Sequence, residues 1–358
     1  MRRFLIATLF LITTGFSAKV PIKEIALRIP REWILSIGKL YDNDHSSLFS
    51  ESLFDSLKHL SFYYVDVEIG TPAQKFRLLI DTASSSLIVA GTEYDWDIAT
   101  ACKKQCHDED HSCVRLGEKC AKHQHFGIAN TLGLIFFLLP CDGSLGLGFQ
   151  TLNKDYSVPL MQRILRQDKT NIPTFTIWID QSNDDGNFDG QLTIGEYDEE
   201  HCEMLTCQWI KLARRRYWEF EFENIVVTND LEIRNADRTP MKGMFNSRIP
   251  WIAMAPAHVK AICNELELEF VSYMPIKIPC NRQHSLKPMK LVVENIIITI
   301  PTSAYFAQKN DTCYLMIIAA ETAQGIDVEF GNYFMRQNCH VYNPHANKMA
   351  ICNRKQSE

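Results

Sequence analysis

After its first eighteen residues the 358-residue sequence has no uncharged apolar stretch long enough to cross a bilayer, which excludes a membrane anchor from the body of the chain. It also lacks any run of Lys and Arg interleaved with aromatic residues, and its formal net charge is -6. A phosphate-tracking surface is therefore excluded, and nucleic acid with it as a partner. The spacings of a zinc knuckle are missing too. Cys102, Cys106, Cys113 and Cys120 lie among His107, His111 and His123 as C-x3-C and C-x6-C, which fits two disulfides stapling a surface loop better than a metal centre.

What is present begins with an export signal. Met1-Arg2-Arg3, the apolar FLIATLFLI and the small residues Thr13 to Ala18 have the layout of a cleaved secretory leader over residues 1–18. Twelve cysteines suit an oxidising compartment, and Asn310-Asp311-Thr312 becomes a usable N-glycan acceptor there. The expected product is a soluble monomer, secreted or held in the lumen of the secretory or lysosomal pathway. Its length accommodates two lobes of roughly 150 residues each.

The most informative stretch is Tyr63 to Val89, YYVDVEIGTPAQKFRLLIDTASSSLIV. Val65, Val67 and Ile69 alternate with Asp66, Glu68 and Gly70 as a half-buried strand does, and Gly70-Thr71-Pro72 turns the chain back. The next strand, Phe76 to Ile80, is almost wholly apolar and ends on Asp81, so an acid sits where a core meets an opening. Thr82, Ser84, Ser85 and Ser86 offer short hydroxyls to hold it. Asp followed by Thr and Ser is also ordinary turn chemistry.

Strand, G-T-P turn, strand and D-T-A-S-S together resemble the first active-site region of the pepsin-like aspartic peptidases, with Ala83 in place of the motif glycine. Further segments are similar to that family: Cys141 to Phe149, CDGSLGLGF; Gln191 to Gly195; and the closing FGNYFMRQNCHVYNPHANKMAIC. The resemblance implies an all-β, bilobal pepsin-like acid protease fold, two β-barrel-like lobes with a few short helices. It places a propeptide at 19–60, a first lobe with a Cys-rich insert at 61–180 and a second lobe at 181–358. A helix is predicted over Val158 to Arg166, another over His258 to Leu268, and strands over Phe175 to Ile179, Trp218 to Val227 and Leu291 to Ile300. The resemblance pairs Cys280 with Cys313. Proximity in sequence suggests Cys202 with Cys207 and Cys339 with Cys352, while Cys141 and Cys263 read as small buried hydrophobes.

Catalysis in that family needs two carboxylates, one per lobe, sharing a proton around a water, so the resemblance implies no metal or organic cofactor. Asp81 is the first, supported by Thr82 and Ser84. Counting back from Ala255-Pro256 puts Ser247 at the second position, and no acid lies between Lys242 and Asn264. The interval from Asp81 to Gly146 is also about twenty residues shorter than that from Ser247 to Gly331, with the loss assigned between Cys120 and His125 and no Y-G-T-G-like flap text. Ile88 stands where the family has a tryptophan, and Asn332 replaces its closing Asp. The expectation is a secreted homologue, inactive or impaired as a peptidase, whose cleft binds an extended peptide or protein ligand. The alternative is an active aspartic endopeptidase that joins Asp81 to an unrecognised second acid, either Asp237 or the Asp81 of a second chain.

Overall fold

The structure, a computed structural model, describes residues 17–26, 61–95, 102–106, 113–131, 141–153, 156–167, 172–180, 190–309 and 311–355. Strands dominate, and the α-helices among the described residues are short: Leu160–Gln167, Pro256–Glu265 and Asn332–Met335. The second of these starts earlier than its hydrophobic spacing predicts because Pro256 occupies its first turn, where a missing N–H costs nothing.

One sheet joins the two halves. From the closing hairpin, Cys339–Asn343 and Lys348–Cys352, it passes through Phe175–Ile179 and Gly190–Ile194 to Ala18–Ala26, and from there into Ser61–Ile69 and Gln74–Asp81. Ala18–Ala26 is the bridge. Val20 pairs with Leu192 on one side, and Lys23 and Ile25 pair with Tyr64 and Phe62 on the other. The start of the segment expected to act as a propeptide is thus an internal strand, while residues 27–60 lie outside the described residues.

The alternation in Ser61–Ile69 is real. Val65, Val67 and Ile69 are buried while Glu68 is exposed, and Gly70 takes φ +93° to reverse the chain. Gln74–Asp81 turns apolar where it becomes a central strand, with Ser61–Ile69 on one side and Gly143–Gly146 on the other.

The second lobe repeats this plan. Val328–Phe330 runs parallel to Met241–Phe245 and antiparallel to Ile252–Met254, as Gly143–Gly146 does to Gln74–Asp81 and to Leu87–Val89. The lobes share one apolar core at Trp218, whose fully buried ring lies 4.6 Å from Phe149, 5.6 Å from Phe175 and 4.7 Å from Tyr342. An indole buried this way contributes about 2–3 kcal/mol, and its Nε1 donates to the Leu147 carbonyl at 2.9 Å.

The cross-links differ from the expected neighbour pairs. Cys202 bonds Cys339 and Cys207 bonds Cys352, because Cys339 and Cys352 face each other across the closing hairpin and each turns to the loop ahead of Gln208–Lys211. Cys113 bonds Cys120, and Cys280 bonds Cys313. The side chains of Cys102 and Cys106, and residue Asn310, lie outside the described residues. From Cys120 the chain goes through Lys122 and a turn at His123 straight into Phe126–Thr131, leaving no room for a hairpin there.

Candidate functional site

Strands Gln74–Asp81 and Met241–Phe245 end side by side, and the loops that follow are related by an internal pseudo-twofold. Gly146 N donates to Ser86 O at 2.9 Å, and Gly331 N donates to Trp251 O at 3.0 Å. Both glycines are forced by the close approach: a Cβ on Gly146 would sit 2.4 Å from Ser85 C, and one on Gly331 would sit 2.3 Å from Trp251 O. Ser86 is five residues after Asp81 and Trp251 five after Asn246, so the residue matching Asp81 is Asn246, not Ser247.

The hydroxyls agree. Thr82 Oγ1 donates to Phe245 O at 2.7 Å and accepts Ser247 N at 2.9 Å, while Ser247 Oγ donates to Ile80 O at 2.7 Å and accepts Thr82 N at 3.0 Å. Ser247 therefore mirrors Thr82. Counting back from Ala255-Pro256 misses by one because that reference point does not touch the loop, whereas the glycine contact does.

Asp81 is buried, and its Oδ1 accepts the Ala83 amide at 2.9 Å. Asn246 Oδ1 accepts the Arg248 amide at 3.0 Å in the same manner. The amide nitrogen of Asn246 points elsewhere: it donates to Glu329 Oε2 at 2.6 Å, while Glu329 Oε1 accepts the Ala323 amide at 2.5 Å. Asn332 donates to Ser247 O at 2.9 Å and fixes the loop from beneath. Above it, Arg248 places Nη1 3.5 Å from Asp81 Oδ2, with more than half of its side chain in solvent.

The expected hydroxyl support for Asp81 is redistributed. Ser84 Oγ is buried without a hydrogen-bond partner, and that residue contributes its carbonyl, which accepts Gly148 N at 2.7 Å. Ser85 and Ser86 both donate to Asn153 Oδ1, at 2.5 and 2.6 Å. Asp237 is exposed in a turn, where it accepts the Thr239 amide and hydroxyl, and these bonds hold its carboxyl below its ordinary value. It is not brought to Asp81. No group of three or more His, Cys, Asp or Glu that could hold a metal occurs among the described residues.

Two residues of this site were not identified in the sequence, Arg248 and Glu329, and Asn246 lies one residue before the position assigned to the second acid. The usable signal was Gly331, whose spacing to the loop gives the register. Arg248, standing where the first lobe has Ala83, then appears as a charge inserted at the third position.

The sequence profile described as "Eukaryotic aspartyl protease" matches residues 62–114 and 110–354. "Aspartic protease 1" of Caenorhabditis elegans is 24% identical over 327 residues, covering 78% of this chain and 79% of that one. "Vacuolar protease A" of Aspergillus fumigatus is 23% identical over 363 residues, covering 90% and 89%. "Cyprosin" of Cynara cardunculus is 25% identical over 216 residues, and this chain spans 44% of its length. The crystal structure of aspartic proteinase from Irpex lacteus superposes with a TM-score of 0.69 at 14% identity, covering 95% of this chain and 98% of the other, a likeness of fold. The chain belongs to the eukaryotic aspartyl protease family.

Proposed function

We propose that this chain is a pepsin-like homologue, exported from the cytosol, that binds extended peptides in its cleft and has lost or nearly lost peptide hydrolysis. The observation that carries the reading is Asn246 at the position paired with Asp81. Hydrolysis by this route needs two carboxyl groups close enough to share one proton, one acting as base toward water and the other supporting the carbonyl oxygen. An amide neither takes up nor gives back that proton, and this one is committed to Glu329. The guanidinium of Arg248 beside Asp81 is no substitute, since it does not give up a proton at working pH. Four disulfides among the described residues support an oxidising compartment.

The test is incubation of purified protein with denatured protein substrates across acidic pH. No cleavage beyond an Asp81→Asn control is expected, and cleavage that Asp81→Asn abolishes would overturn the reading.

A second reading is favoured by Glu329, a buried acid 2.6 Å from Asn246 Nδ2. In it, Asp81 and Glu329 form a widened acid pair with residual activity. Cleavage lost equally in Asp81→Asn and Glu329→Gln would select it.

A further inference from the structure

We propose that the site selects peptides with acidic side chains, read by Arg248 and Arg216. This inference rests on the peptide-binding reading and adds the chemistry of the ligand.

The acids of the site face inward. Asp81 and Glu329 are 1% and 7% exposed, and both oxygens of Glu329 are taken by Asn246 and Ala323. The guanidiniums face outward. Arg248 is 54% exposed in its side chain, and its 3.5 Å approach to Asp81 Oδ2 leaves most of its five donors for a ligand.

Arg216 is tied to the same loops from another element. Its carbonyl accepts Phe149 N at 3.1 Å, two residues from Leu147, whose amide donates to Asp81 O at 2.8 Å. Its guanidinium contacts Gln324, at 3.4 Å to the carbonyl and 3.5 Å to Oε1. Gln324 adjoins Ala323, which holds Glu329 and through it Asn246. Arg248 thus meets Asp81 directly, and Arg216 connects to Asn246 through Gln324, Ala323 and Glu329. Arg214 of the same turn is different, because its charge is met by the buried Glu219. The acceptors of Arg216 at Gln324 are neutral, and no ion pair to Arg216 occurs among the described residues.

A family pair of buried acids suits a neutral backbone. Here one acid is replaced by Asn246, and the charges that reach solvent are planar forks matched to carboxylates. The chain as a whole carries -6, so a cationic site is not a general property of its surface.

Fluorescence anisotropy with three labelled peptides of one length, alternating Val with Glu, Gln or Lys, tests this on the full chain. The Glu peptide is expected to bind about tenfold more tightly than the Gln peptide at low salt, with the margin shrinking at high salt. Arg248→Ala and Arg216→Ala should each reduce the margin, and Arg248→Lys should restore only part of it because the fork is lost. Equal binding of the Glu and Gln peptides, or arginine variants that bind as the parent does, would overturn the charge reading while peptide binding stands. If none of the three peptides binds, peptide binding itself fails and the charge reading falls with it.

Discussion

Thr82 and Ser247 are bonded crosswise, each hydroxyl accepting the other residue's backbone amide and donating to the carbonyl that precedes the other loop. All of these groups are buried, so removing one hydroxyl strands an amide and a carbonyl together. Ser247→Ala is expected to cost about 2–4 kcal/mol, and Ser247→Thr much less because it keeps the hydroxyl. Urea unfolding midpoints of the two variants check this. Equal midpoints would show that the crosswise bonds do not hold the lobes.

Asn246→Asp is the obvious change for restoring hydrolysis, and the structure predicts that it fails alone. The new carboxyl would lie where the amide nitrogen now stands, 2.6 Å from Glu329 Oε2, and would share a proton with Glu329 rather than with Asp81. Arg248 would still occupy the outer oxygen of Asp81. The triple variant Asn246→Asp, Glu329→Gln, Arg248→Gly is expected to cleave denatured protein at acidic pH, and the single variant is not. Peptide release from an acid-denatured substrate, with Asp81→Asn added as control, measures both.

Much of this fold was legible because burial writes itself into local pattern. Alternation in Val65, Val67 and Ile69, the apolar run to Ile80 and the terminal Asp81 marked the first lobe's half of the site. The strand Phe175–Ile179 was readable from its own residues, and the closing hairpin was expected from its similarity to the family's last segment. What stayed hidden depends on contacts between distant residues. The one-residue register of Asn246 is set by Gly331 against Trp251, and Arg248 meets Asp81 across the lobe boundary, neither leaving a periodic trace. Glu329 reads as a strand residue until Asn246 is placed beside it.

The pairing of four cysteines is hidden for the same reason, since four thiols allow three connectivities and spacing favours the wrong one. A non-reducing digest should release Cys202 linked to Cys339 and Cys207 linked to Cys352. These links span 137 and 145 residues, against 33 for Cys280 to Cys313. The two long links close nearly the same loop, so in the chain-entropy account that loop gains about 1 kcal/mol over the shorter one only once, and the second link constrains just the short segments between them. Replacing Cys202, Cys207, Cys339 and Cys352 together by Ala should therefore lower the urea midpoint more than replacing Cys280 and Cys313, whereas replacing Cys207 and Cys352 alone should lower it less than the fourfold change, because the link from Cys202 to Cys339 still closes the long loop.

His340 makes acid costly for this fold. Its ring is fully buried, 4.6 Å from Phe245 and near Phe334 and Tyr342, and neither nitrogen has a hydrogen-bond partner of good geometry. Burial pushes the imidazole from 6.5 down to about 3, opposed only weakly by the backbone at Met335. The unfolded chain then binds the extra proton first, so the neutral ring's contribution is complete above pH 6.5 and declines as pH falls toward 3. At about two pH units below 6.5 the loss approaches 2–3 kcal/mol. His340→Leu should remove that part of the slope, and urea midpoints measured at neutral and at moderately acidic pH should converge in the variant. A parent protein whose stability does not fall between those conditions would show that the ring reaches solvent or a partner before it charges. Because Phe245 both packs on this ring and accepts the Thr82 hydroxyl, the same acid loss should loosen the floor that holds Asp81.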